Sequence, residues 1–255
     1  MNKEVLVENQ VKAQDLIHEA FEVDNAEKAR ELAQKALELD AQNVDAHSFM
    51  GHTSSSIEEA INWYQKGTDL AKELLGEAFA ANKGKFWQVE ETQSYMNAKE
   101  NLGMALHVAD KKKEAVAHFQ EMLELNPNDD QGVRYSLAIW LADLKDYAAY
   151  HKLYEQYKED DAVIWKYTNA IALFQEGENI EKANKALLEA HETNPHVLPY
   201  LTAQKEIPEE TPDVIEIGGE SEAIDCVDDI IILLAEEASD TLLWIFSFYE
   251  WINKE

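Results

Sequence analysis

The chain has 255 residues, 45% hydrophobic and 29% charged, which is enough apolar material to bury a sizeable core and too much for a disordered chain. Its 51 acids against 22 Lys and Arg give a formal net charge of −29, leaving little for a phosphate-binding footprint. Nucleic acid and anionic membrane surfaces are thereby excluded as expected partners. Self-repulsion in solution accounts for such a charge, and attraction to a basic partner is its sharper consequence.

Only 5 Pro and 9 Gly occur, and Ala, Leu, Glu and Lys abound, so helices are expected throughout. The opening MNKEVLVENQVKAQDL lacks the apolar run of a signal peptide. The single cysteine, Cys226, permits no intrachain disulfide, so the cytoplasm is the expected compartment. A first helix pair is expected over 8–40 and closes with EKARELAQKALELDAQN. The second, 44–81, is irregular: its first helix is cut short at HTSSS (52–56), whose serines can cap the next helix at Ile57. An insertion follows at about 83–95.

The third pair, 96–125, carries a repeat signature most fully. Lys99, Leu102, Gly103 and Leu106 precede Ala115, Phe119 and Pro127, against the tetratricopeptide pattern W-x2-L-G-x2-Y, A-x3-F, P. Small residues at 103 and 115 let two antiparallel helices approach, Phe119 fills the space between them, and Pro127 stops the unit. A fourth pair, 130–158, keeps the phase with Leu137, Trp140, Ala149 and Leu153. The fifth, 163–193, repeats the pattern with Tyr167, Ala170, Ile171, Phe174, Ala183, Leu187 and Pro195. Pro127 and Pro195 lie 68 residues apart, twice the 34-residue repeat period.

Past Pro195 the texture changes. Residues 197–221 hold three prolines and two glycines and should be irregular and acidic. A last helical hairpin follows, with Ser221 and Asp240 as expected caps. The most apolar stretch, 231–249, is interrupted by Glu236, Glu237 and Asp240 and cannot cross a bilayer as one helix. The expected architecture is therefore all-α: a tetratricopeptide-type right-handed helical solenoid of about five helix pairs with a C-terminal helical hairpin cap. The array takes residues 1–195, and residues 196–255 form an acidic segment plus a hairpin packed on it.

FWQVEETQSYMNAKENLGMAL (86–106), HFQEMLELNPNDDQGVRYSL (118–137), NPHVLPYL (194–201) and SEAI (221–224) resemble tetratricopeptide proteins of a particular kind. The resemblance is to bacterial members similar to the suppressor-of-tumorigenicity (number seven) family, over roughly 86–245. It implies a helical repeat scaffold with no defined catalytic chemistry.

The segment LELNPNDDQG (123–132) imitates the start of a calcium loop. Counted from Asn126, however, the sixth position is Gln131 and the twelfth Leu137, where Gly and a bidentate acid are required. Asn126 and Asp130 are better read as a helix end and the N-cap of the next helix. The eight His are scattered, with no H-E-x-x-H and no Cys pair, so no metal site is expected. Cys226 lies beside Asp225, Asp228 and Asp229, which disfavour a thiolate. Gly218 and Gly219 lack the Lys and Ser/Thr of a phosphate loop. No catalytic residue and no cofactor is expected.

The expected function is a scaffold or adaptor that binds a peptide or protein segment in a concave groove lined by the first helix of each pair. Side chains left over from packing define it: Asn97, Glu100, Met104, His107, Gln131, Arg134, Trp165 and Thr168. Arg134, one of only two arginines, could hold a carboxylate or pair with a nearby acid of the chain itself. The acidic 206–225 segment could occlude the groove, anchored by Arg134. Two alternatives stand beside this reading. One is a hydrolase or transferase with its site in 83–95 and 196–225; the other is a small-ligand or peptide-signal sensor with a deep apolar pocket near Trp165.

Overall fold

A computed structural model describes residues 3–208, 214–234 and 239–254. Part of the 206–225 segment, and Glu236 and Glu237, lie outside the described residues. The described secondary structure is helical throughout, in antiparallel hairpins, and none of its helices is long and apolar enough to cross a membrane. The chain forms two compact units, Met1–Val133 and Arg134–Glu255.

The first unit contains three hairpins: α1 (Lys3–Glu22) with α2 (Ala26–Leu39), α3 (Val44–His52) with α4 (Ile57–Leu75), and, after the one-turn α5 (Glu77–Ala81), α6 (Glu90–Val108) with α7 (Lys112–Leu125). The expected 83–95 insertion is shorter than foreseen. Phe86–Gln88 form a 3-10 turn, and α6 already begins at Glu90 rather than at 96. Buried Phe86 anchors this turn edge-on against Phe79 and Tyr95. Thr92 ties it down by donating its hydroxyl to the carbonyls of Phe86 and Val89.

Local chemistry explains where the helices start. Asn25, Asn43 and Ser56 each accept a backbone N–H three residues on, which satisfies a donor the helix cannot. Within α2, Ala29, Leu32, Ala33 and Ala36 make one buried stripe at helical spacing. Close approach is what the glycines permit. A Cβ on Gly103 would lie 2.6 Å from Phe119 Cε1, and one on Gly51 would lie 2.5 Å from Tyr64 Cε1. Both contacts are too short to exist, so each aromatic ring sits directly on the backbone of the facing helix.

The stop at Pro127 is where sequence and structure meet, with one correction. Asn126 closes α7 through its N–H to Met122 O. The next helix is capped by Asp129, not Asp130: Asp129 adopts φ 53° and accepts Val133 N–H at 2.9 Å, while Asp130 is exposed. The left-handed turn, which Asp tolerates better than most residues, aims the carboxylate back at the helix start.

The second unit comprises the bulk of α8 (Val133–Asp143), then α9 (Tyr147–Gln156), α10 (Val163–Glu176) with α11 (Ile180–Thr193), the one-turn α12 (Val197–Leu201), α13 (Glu220–Ile230) and α14 (Ser239–Ile252). The stretch expected to be irregular thus begins with a helical turn. Pro199 fits there because its missing N–H falls where a helix start needs no donor. Two helices, α13 and α14, stand where the last hairpin was expected, but neither expected cap is one. Ser221 lies inside the first turn of α13 and accepts Glu216 N–H, and Asp240 follows the first residue of α14. This C-terminal region is fastened to α10 and α11 by Phe174 stacked on Trp244 at 4.3 Å, by Gln175 donating to Leu233 O, and by Trp244 donating to Asn184. Asn179 caps α11 through Lys182 N–H at 3.0 Å. Asn179→Ala is expected to lower stability by about 1 kcal/mol, read as a fall in the urea midpoint at unchanged slope.

Candidate functional site

The residues foreseen for a groove take two different environments. In the first unit Asn97 and Met104 are exposed on α6, Glu100 and His107 are half-buried, and Gln131 donates its amide to Glu100. Burial pushes the Glu100 carboxyl up, with the nearby Asp129 adding to it and the Gln131 bond opposing it. In the second unit Arg134 Nε donates to Asp160 at 2.6 Å, its Nη2 donates to Tyr135 OH at 2.5 Å, and its guanidinium lies over the rings of Tyr135 and Tyr157. Trp165 and Thr168 are each 1% exposed. Tyr154 stacks flat on Trp165 at 5.5 Å, and Tyr135 and Tyr157 meet it edge-on. Aromatic rings thus fill the space around Trp165, and as the helices stand neither Trp165 nor Thr168 offers surface to a ligand.

An unusual charge lies within the third hairpin. Lys99 stands where the repeat pattern places a tryptophan, and it is 2% exposed. Its ammonium donates to Glu121 at 2.6 Å and sits 3.1 Å from His118 Nδ1, above the Tyr95 ring. Burial lowers the Lys99 pKa and the bond to Glu121 opposes the shift. Burial would raise Glu121, but the Lys99 hydrogen bond and charge outweigh it and hold the carboxyl low. His118 is lowered by burial and then by the Lys99 charge. Its folded pKa lies below the unfolded value, so its contribution is complete above about 6.5 and is lost as pH falls toward the folded pKa. We expect the urea midpoint to drop less between pH 7.5 and 5.5 in His118→Gln than in the wild type. Asp229, pushed up to about 6 by desolvation and by Asp225 and Asp228, acts in the opposite sense in both proteins and cancels in the comparison.

Two cavities open in the first unit, and residue-by-residue reading foresaw neither. One, of about 410 Å³, is bounded by Gln14 on α1, Asp40 and Asp45 around the α2–α3 turn, Leu74 and Leu75 at the end of α4, and Glu91 at the start of α6. The other, of about 370 Å³, lies at the opposite end of α3, between the serine turn 54–56, Tyr64, and Met104 and Val108 of α6. Of the foreseen residues, only Met104 borders either cavity. The first draws on five segments spread over some eighty residues, so no local motif announces it. The only hint in the sequence is Gln10 and Gln14, polar neighbours four apart on one helix face.

Among the described residues, no group of three or more His, Cys, Asp or Glu is placed to hold a metal ion. Cys226 is buried, and burial followed by the charges of Asp229, Glu222 and Asp225 pushes its thiol well above the usual range.

No known family's profile matches the chain, and no curated protein matches it. Among solved structures, the chain is similar to the crystal structure of YrrB, a TPR protein with an unusual peptide-binding site. The two are 22% identical over 79% of this chain and 96% of that one, with a TM-score of 0.49.

Proposed function

We propose that the protein is a non-enzymatic interaction scaffold that binds a peptide or a segment of a partner protein on the helix faces of its first unit. The observation that carries this reading is the 410 Å³ cavity, which is open and of mixed polarity, with carboxylates and amides at its rim and leucines along its wall. Surfaces of that kind suit side-chain recognition, in which a few polar groups orient a segment and an apolar wall supplies area. The alternative hydrolase or transferase would need acids or His facing one another in a closed site built from 83–95 and 196–225. Of these, 83–95 supplies Phe86 and Tyr95, which pack ring to ring with Phe79. The sensor reading needs space beside Trp165, which tyrosines occupy. We further infer a cytoplasmic protein kept off nucleic acid by its charge of −29. We retain kinship with the suppressor-of-tumorigenicity (number seven) family, and the array boundary near 195, as parts of the same proposal.

Panning a random displayed peptide library on the purified full-length chain tests the reading. Enrichment of related peptides that bind in solution is the expected result. Recovery no better than on an unrelated helical protein would overturn it.

A further inference from the structure

We infer that the 410 Å³ cavity is a receptor for a lysine or arginine side chain of the bound segment. This rests on the scaffold reading above and goes on to name the site and the chemistry of the guest.

Three carboxylates border the cavity, Asp40, Asp45 and Glu91, and none of the residues lining it is basic. Each has a neutral partner only: Asp40 accepts Gln42 N–H, Asp45 accepts the Gln14 amide at 3.1 Å, and Glu91 accepts the Asn82 amide at 3.2 Å. Other carboxylates of the molecule have found cations, as Glu59 has Arg30 and Glu121 has Lys99. These three have none, and each keeps lone pairs free, because an ionised carboxylate can accept about four bonds.

Helix dipoles do not decide the sign of the guest. The starts of α3 and α6 bring partial positive charge to the cavity, and the ends of α2 and α4 bring partial negative charge. These contributions oppose one another, so the carboxylates set the preference. The Gln14 amide is held by Asn43 Nδ2, which donates to its oxygen at 3.0 Å, so it keeps Asp45 fixed in orientation. Leu74, 52% exposed, also lines the cavity, and beside the half-buried Leu75 and Ala78 it adds an aliphatic strip. A cavity lined by both carboxylates and aliphatic side chains matches the two halves of a Lys or Arg side chain, whose stem packs on apolar surface while its head is hydrogen-bonded.

The test uses fluorescein-labelled decapeptides, acetylated and amidated, with a central Arg in an Ala/Ser/Leu background, and the same pool with citrulline in its place. The wild-type chain should bind the arginine pool ~10–100-fold more tightly, the range expected for a hydrogen bond to a charged group. Asp45→Asn combined with Glu91→Gln should erase most of that preference. Leu74→Lys, at an exposed helix position where folding is not at risk, should erase it by placing the chain's own ammonium in the cavity. Circular dichroism checks that each variant is folded. An equal preference for arginine in wild type and in Leu74→Lys would overturn the assignment. So would a wild type that binds both pools alike, and in that case library-selected peptides would still report the scaffold. Absence of any library binder removes the scaffold reading itself.

Discussion

Phe119→Ala is expected to cost about 3–5 kcal/mol of stability, the range for truncating a fully buried aromatic. Phe119 is 1% exposed and its ring occupies the space that Gly103 leaves empty. Gly103→Ala should cost about 1–3 kcal/mol by itself, because the added methyl would sit 2.6 Å from Phe119 Cε1 and a helix must move. The informative protein is the double variant. Once the ring is gone the methyl has room, so Gly103→Ala should cost little in the Phe119→Ala background, where alanine's higher helix propensity works in its favour. Urea midpoints of the four proteins measure the coupling. Strictly additive losses would mean that the glycine does not serve the ring.

The second large effect concerns Lys99. Glu121→Gln removes the carboxylate that holds the ammonium and should cost about 2–3 kcal/mol. That is below the ~3–5 kcal/mol for breaking a wholly buried pair, since Glu121 is 41% exposed on its side chain while Lys99 is 3% exposed. Lys99→Met, which keeps length and removes the charge, should be neutral or stabilising, because taking an ammonium out of water costs more than one half-exposed partner returns. Thermal melts of both variants decide the matter. If Lys99→Met proves as damaging as Glu121→Gln, the lysine is supported by more than this pair.

Much of the fold was legible because the repeat writes its packing rule in small residues and prolines. Gly103, Ala115, Phe119 and Pro127 identify one hairpin, and Pro195 recurs in phase. A cap was legible where the helix start lies against a run of serines, as at Ser56. Caps were misread where backbone geometry chose among neighbours. Asp129 outcompetes Asp130 because a positive φ turns its carboxylate inward, and Ser221 is taken by a loop N–H. The site was less legible still. Trp165 reads as a groove residue from its position in the helix, yet three tyrosines from α8 and from α9 and its end cover it. The cavity's carboxylates come from separate hairpins and could not be grouped from the sequence, where 51 acids offer every pairing.

The first unit is proposed to hold its partner at the carboxylate-rimmed cavity. Amide hydrogen exchange of the full-length chain with and without the tightest library peptide tests this directly. Added protection is expected in α1 around Gln10 and Gln14, at the start of α3 and in the first turns of α6, with α13 and α14 unchanged. Protection confined to the second unit, in the presence of a saturating peptide, would contradict it.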